Sequence, residues 1–199
     1  MRVIAGTARG RPLLAPKGMG TRPMMDIVKG SLFNMLESLG GVEDGIVLDL
    51  FAGSGALGIE ALSRGAAHAD FVERFWAGVT PRRANLERLG FAKRGTIHCV
   101  KIPMPKSQTP SAAPDWDVRI GKGHRYAVVF MDAPYPAQVS EQLLQQLASW
   151  PRLEDNALVC IGHHKRELLP EQVGPLTRIR YRCFGASCLS IYQHSSLHG

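Results

Sequence analysis

The sequence predicts an α/β sandwich, a mostly parallel sheet with helices on both faces that is closed by an antiparallel hairpin. Three observations predict it. Short apolar segments alternate with helical ones from Gly45 onward, which is the rhythm of strand–helix–strand units. "YAVVFM", residues 126–131, is apolar almost throughout, as a strand covered on both faces must be. The last part, "TRIRYRCFGASCLSIYQ", alternates but breaks at Phe184-Gly185-Ala186, as two antiparallel strands around a turn would.

The elements follow in order. "MRVIAGTARGRPLLAP" mixes aliphatic residues with Gly6, Gly10 and Pro12, which suits a small N-terminal hairpin ahead of the main fold. In "TRPMMDIVKGSLFNMLESLGG", Ile27, Val28, Leu32, Met35, Leu36 and Leu39 recur at helical spacing until Gly40 and Gly41 stop them. Residues 46–50 form a short apolar strand, 56–64 a helix ended by Gly65, and 69–73 a second strand. A helix over 80–89 tolerates Pro81 in its first turn and closes at Gly90. Residues 95–101 make a third strand, 126–131 a fourth, "VSEQLLQQLASW" a helix and "NALVCI" a fifth strand. Residues 103–123 contain four prolines and no period, and read as a long loop. The chain divides into a basic extension, 1–22, and a main domain, 23–199.

The chain has 199 residues, 45% of them hydrophobic, enough to bury one sizeable core. Its 24 Lys+Arg outweigh 17 Asp+Glu, and the excess is concentrated at the start. Arg2, Arg9, Arg11, Lys17, Arg22 and Lys29 there face a single acid, Asp26. Such a field attracts a phosphate backbone, making a nucleic acid the first partner to consider against a merely solvated face. Cys99, Cys160, Cys183 and Cys188 show no metal-ligand spacing and read as reduced core thiols. The seven histidines read as surface residues, and no metal is expected. No run approaches the roughly 20 apolar residues that span a bilayer, so a soluble, cytoplasmic protein is expected, acting as a monomer.

Two motifs carry chemistry. "VLDLFAGSGALGIEAL" holds Gly53, Gly55 and Gly58 in the G-x-G-x-x-G spacing of a dinucleotide loop. Here, however, the strand ends at Asp49, with Leu50-Phe51-Ala52 before the first glycine. A carboxylate at that point opposes a pyrophosphate and suits a cofactor that brings positive charge, such as S-adenosylmethionine with its ammonium and sulfonium. Glu73, twenty positions after Gly53, can accept hydrogen bonds from ribose hydroxyls of either cofactor. The second motif, "MDAPY", follows the fourth strand, so Asp132 emerges at the carboxyl edge beside the glycine loop. A carboxylate, a backbone carbonyl and an aromatic ring around a proline-stiffened turn make a pocket for a planar amine.

With those motifs in place, the chain resembles the RsmD family, methyltransferases of guanine N2 in bacterial small-subunit ribosomal RNA. The resemblance rests on "MRVIAGTARGRPL", "TRPMMDIVKGSLFNML", "VLDLFAGSGALGIEALSRGA", "DAPY" and "FGASCLSIYQ". It implies a Rossmann-like, seven-stranded methyltransferase sheet with S-adenosylmethionine at the edge of the first two strands. Asp49 and the loop Phe51, Ala52, Gly53, Ser54 and Gly55 would hold the methionine part, and Glu73 the ribose. Asp132, Ala133, Pro134 and Tyr135 would form the amine-binding catalytic turn. Arg2, Arg9, Arg11 and Arg22 would grip phosphates of small-subunit RNA or an assembling 30S particle. Three departures stand out: Ala133 replaces a usual proline, "CVKIPMPK" lacks the usual acid after the third strand, and Ile161-Gly162-His163 stands where a Glu is usual. They motivate a second hypothesis, an RNA-binding or assembly module on a methyltransferase fold with weakened catalysis. A third, a nicotinamide-dependent oxidoreductase, leaves the Asp132 turn without a use.

Overall fold

The nearly unbroken apolar run of residues 126–131 lies in the middle of a sheet that is covered on both sides. The structure, a computed structural model, describes residues 1–15, 23–73, 79–100, 120, 123–132 and 138–195. In chain order the elements are α1 (Pro23–Glu37), β1 (Ile46–Leu50), α2 (Ala56–Ser63), β2 (His68–Glu73), α3 (Val79–Arg88), β3 (Gly95–Cys99), β4 (Tyr126–Met131), α4 (Gln138–Ala148), β5 (Leu153–His164), β6 (Gln172–Val173), β7 (Leu176–Phe184) and β8 (Ser187–His194). The strands form one sheet in the order β3-β2-β1-β4-β5-β8-β7-β6. β3, β2, β1, β4 and β5 run parallel; β8, β7 and β6 add antiparallel pairings.

Strand alternation splits the apolar residues into two cores. Val47, Phe71, Val128, Phe130, Cys160 and Ile191 face one side, where Leu32, Phe33 and Leu36 of α1, Ile59 and Leu62 of α2 and Leu86 of α3 cover them. Leu48, Leu50, Val72, Val129, Met131 and Ile161 face the other, against Leu143, Leu144 and Leu147 of α4 and Trp150. The α/β architecture with helices on both faces is as expected from sequence.

The first fifteen residues fold back on themselves through the Arg2–Pro12 bridge and share the first core through Val3, Ala8 and Leu13. A buried carboxylate fastens them. Glu60 on α2 accepts the N–H groups of Ile4 at 2.8 Å and Ala5 at 3.0 Å, and pairs with Lys29 at 3.1 Å and Arg64 at 3.0 Å. Ser63 adds a hydroxyl that accepts from Ala8 and donates to the Ala5 carbonyl. Four donors offset the cost of burying Glu60 completely. Lys29 is therefore not part of an RNA-attracting field: it is 4% exposed, and burial pulls its ammonium below its ordinary range.

Other differences from the sequence reading have local causes. The fifth strand begins at Leu153, before "NALVCI", because Asn156 takes a left-handed φ of 64° at a register shift opposite Tyr126 and Val128, which lets pairing continue. The sheet has an eighth strand, β6, only two residues long at the edge. Cys183 and Cys188 face each other across β7 and β8 as a disulfide, while Cys99 and Cys160 form none. Their pairing follows from hairpin register, which residue spacing alone does not show.

Candidate active site at the carboxyl edge of the sheet

β1 lies between β2 and β4, and the chain leaves it toward β2 on one side while β4 begins the other half of the sheet. This is the switch point at which open α/β sheets bind ligands, beyond the carboxyl ends of the strands. Asp49, Glu73 and Asp132 meet there, since Leu50 pairs with Val72 on one side and with Met131 on the other.

The loop after β1 is shaped by positive φ angles: 60° at Phe51, 49° at Gly53 and 78° at Gly55. The three glycines have separate tasks. Gly55 combines a left-handed backbone with a close approach, since a Cβ there would lie 2.9 Å from Arg82 Cγ. Gly58 has no unusual φ; its Cβ would stand 2.4 Å from the Phe71 ring, so it sets how closely α2 approaches β2. Gly53 donates its N–H to Glu73 Oε2 at 3.2 Å.

Asp49 is 2% exposed and accepts the Gly58 N–H at 2.9 Å, so it caps the first turn of α2 from a distance. Burial pushes its carboxyl up to about 7; the Gly58 bond and Arg82 oppose that, while Asp132 and Glu73 add to it. Asp132 is exposed at its surface, yet desolvation by the surrounding protein raises its carboxyl above the ordinary range. Gly162 on β5 makes room for it, as a Cβ there would sit 2.6 Å from Asp132 Oδ1. Ala133, Pro134 and Tyr135 lie outside the described residues, as does Arg22.

One residue of this site has no distinguishing signal in the sequence. Arg82, on α3, is fully buried and donates from Nε at 3.0 Å and from a terminal nitrogen at 2.9 Å to the Gly53 carbonyl. Its other terminal nitrogen is buried with no hydrogen-bond partner among the described residues. Burial pulls its pKa down, and Asp49 and Glu73 counter this. "TPRRANLER" gives no sign that Arg82 rather than Arg83 points inward.

Ser54 turns its hydroxyl to Met1 Sδ at 3.4 Å, which brings the N-terminal segment against the glycine loop. Arg2, one residue on, is exposed and 4.0 Å from Asp26; Arg9 is exposed, and Arg11 donates to the Arg88 carbonyl at 3.2 Å. A second basic strip escapes a reading based on the N-terminus. Arg180, Tyr181 and Arg182 are exposed on β7, and Arg182 pairs with Leu189, which pairs with Gly162 beside Asp132. Three strand spacings put Arg182 about 14 Å from Asp132.

The histidines are a correction as well. His68, His98 and His124 do not stand apart on the surface but converge on the buried Asp70, and His163 is buried against Ser190 Oγ at 3.0 Å. Each is unremarkable alone in sequence; the parallel pairing of β2 with β3 and the entry into β4 bring them together.

A doubly wound sheet with an acidic strand end, a glycine loop and an Asp at the switch point defines the S-adenosylmethionine-dependent methyltransferase fold. The chain belongs to the family described as Conserved hypothetical protein 95, whose model matches residues 1–193, the RsmD family that its motifs resemble. It is 35% identical over 193 residues to the putative rRNA methyltransferase YlbH of Bacillus subtilis, covering 97% of this chain and 98% of that protein. It is 33% identical over 196 residues to ribosomal RNA small subunit methyltransferase D of Escherichia coli K12, covering 98% and 91%. The solved structure of the putative methyltransferase yhhF from Escherichia coli superposes with a TM-score of 0.78 at 31% identity, covering 98% of each chain. Among the described residues, no helix is long and apolar enough to cross a membrane.

Proposed function

We propose that the protein transfers a methyl group from S-adenosylmethionine to the exocyclic N2 amine of a guanine in small-subunit ribosomal RNA. The observation that carries this reading is the meeting of Asp49, Glu73 and Asp132 around the glycine loop, in a chain whose relatives bear rRNA methyltransferase names over nearly their whole length. Bound S-adenosylmethionine supplies a methyl on a sulfonium, a group activated by its own charge.

The residues present fit that cofactor. Two buried carboxylates and Asp132 favour a cation, and the missing side chain at Gly55 lets Arg82 pack directly against the loop. The unpartnered nitrogen of Arg82 can meet an anionic end, as the amino-acid portion has. Glu73, which holds the Gly53 N–H, can accept from ribose hydroxyls instead. Asp132 and the Ala133 carbonyl would accept the two amine hydrogens, favour pyramidal geometry at nitrogen and steady its developing charge. The main effect is positioning, since two reactants held in line react as one unit. Pro134 would stiffen the turn, and Tyr135 would stack on an unpaired or flipped-out base.

Arg2, Arg9, Arg11 and Arg22 would contact backbone phosphates, giving affinity with little sequence information. Arg180 and Arg182 extend that surface on the other flank of Asp132. The test is Asp132→Ala with labelled cofactor and small-subunit RNA or 30S particles, followed by mapping of the labelled nucleotide. The variant stays folded and incorporates no methyl; retained incorporation refutes the role of Asp132. Label on any group other than a guanine N2 refutes the substrate assignment.

A further inference from the structure

β2 presents alternate residues to opposite faces of the sheet. Phe71 and Glu73 belong to the side that carries α2 and the glycine loop, whereas Asp70 shares the other side with Leu48 and Val72. On that second side Asp70 is 0% exposed and lies among three imidazoles. His98 Nε2 is 2.7 Å from its Oδ1, His124 Nδ1 is 2.8 Å from its Oδ2, and His68 Nε2 is 3.7 Å from its Oδ1. The Tyr126 hydroxyl donates to Oδ2 at 2.9 Å. Burial by itself would raise the Asp70 carboxyl, but these surrounding donors pull it far below the ordinary carboxylate range. It is a buried carboxylate with nitrogen donors on several sides.

We propose that His68, Asp70 and His124 bind one divalent transition-metal ion of the zinc class, on the sheet face opposite the Asp49–Asp132 crevice. One ligand atom from each lies within 4.8 Å of the others. Tetrahedral bonds of about 2.0–2.1 Å place neighbouring ligand atoms about 3.4 Å apart, so rotation of two partly exposed rings closes the set. Two imidazoles and a carboxylate with a fourth position for water match zinc chemistry better than calcium or magnesium chemistry, which calls for oxygen ligands. On binding, each ring turns a lone pair toward the ion and keeps its proton on the far nitrogen; a doubly protonated ring releases one proton to solvent.

The surroundings support a held site. His98 and Tyr126 would remain hydrogen-bonded to Asp70 as the outer partners that fix a ligating carboxylate. Thr96 Oγ1, 3.1 Å from His68 Nε2, borders the same space. Arg152 is the nearby cation, with a terminal nitrogen 3.3 Å from the Tyr126 hydroxyl. Its guanidinium donates to the His124 carbonyl and to the Ile120 carbonyl, each at 2.8 Å, and lies over the Tyr126 and Trp150 rings. It therefore fixes the backbone of a ligand residue. The ion would tie the entry of β4 to β2, a structural role that leaves the methyl-transfer chemistry separate.

The experiment is calorimetry of the full chain with Zn2+ after chelator treatment, joined with the absorption spectrum of the Co2+ form. The expected result is one saturable site, visible bands of four-coordinate cobalt and no thiolate charge-transfer band. His68→Ala and His124→Ala each weaken Zn2+ binding at least tenfold, with unchanged far-ultraviolet circular dichroism, and lose the Zn2+-dependent rise in Tm shown by the parent. Cys99→Ser leaves binding unchanged. No saturable uptake, or uptake that survives His68→Ala and His124→Ala together, overturns the proposal and leaves a hydrogen-bonded cluster only. A thiolate band lost in Cys99→Ser overturns it in favour of cysteine ligation.

Discussion

Replacing Asp49 by Asn tests both its burial and its use. The carboxyl lies 2% exposed, and its pKa is raised from 3.8 to about 7 chiefly by burial. A carboxyl whose folded pKa exceeds its unfolded one binds more protons in the native state between the two values. Its contribution to stability is therefore present at low pH and is lost as pH rises through about 7. From about pH 5 to about pH 8 the difference is about 3 kcal/mol, because the slope of roughly 1.4 kcal/mol per pH unit applies only over about two units below the folded pKa and vanishes above it. Asn keeps an oxygen for the Gly58 N–H, seen at 2.9 Å in the parent, but cannot ionise.

Urea unfolding of both proteins at the two pH values gives the double difference. Asp49→Asn gains about 3 kcal/mol relative to the parent on going from low to high pH; a double difference below about 1 kcal/mol refutes the reasoning. The same ionisation governs ligand binding. A cationic cofactor is bound best by the charged carboxylate, so affinity for S-adenosylmethionine in the parent rises up to about tenfold per pH unit toward 7 and then levels. In Asp49→Asn that dependence disappears and affinity falls. Equal pH profiles for the two proteins would show that Asp49 serves only to cap α2.

Three further outcomes follow from the packing. Gly58→Ala forces a methyl against the fully buried Phe71 ring and lowers stability by about 1–3 kcal/mol in denaturant titration. Glu60→Gln leaves the buried Lys29 without its anion; a loss of about 3–5 kcal/mol is expected, with faster amide exchange at Ile4 and Ala5. Arg180→Ala with Arg182→Ala lowers RNA affinity at low salt and reduces the slope of log affinity against log salt by roughly one to two, leaving cofactor affinity unchanged.

Much of the sheet was legible because burial imposes its period on sequence. The continuous apolar run of β4 and the glycine stops after the first three helices placed the parallel strands, and the position of Asp132 just after β4 placed it beside the loop after β1. What escaped reading depends on pairing between distant segments. Lys29 reads as surface charge until Glu60 is seen opposite it. Cys183 and Cys188 look like isolated thiols until hairpin register aligns them. Arg82 differs from Arg83 only in which side of α3 it occupies, and the histidines meet only once β2 and β3 are in register.

β2 shows why such features arise together. A strand turns its odd and even residues to opposite faces, so six residues, His68–Glu73, can serve two sites without competition. Glu73 and Phe71 answer to the first face: one holds the glycine loop through the Gly53 N–H, and the other sets the approach of α2 through Gly58. His68 and Asp70 answer to the second, where the imidazoles of β3 and of the β4 entry surround a carboxylate. A change at Asp70 therefore leaves the odd residues in place on the opposite face, while a one-residue slip of β2 would exchange both sets at once. The parallel pairing with β1 and β3 resists that slip, because Val72 and Phe71 are fully buried on opposite sides. The same register that positions Glu73 for a cofactor brings the histidines to Asp70.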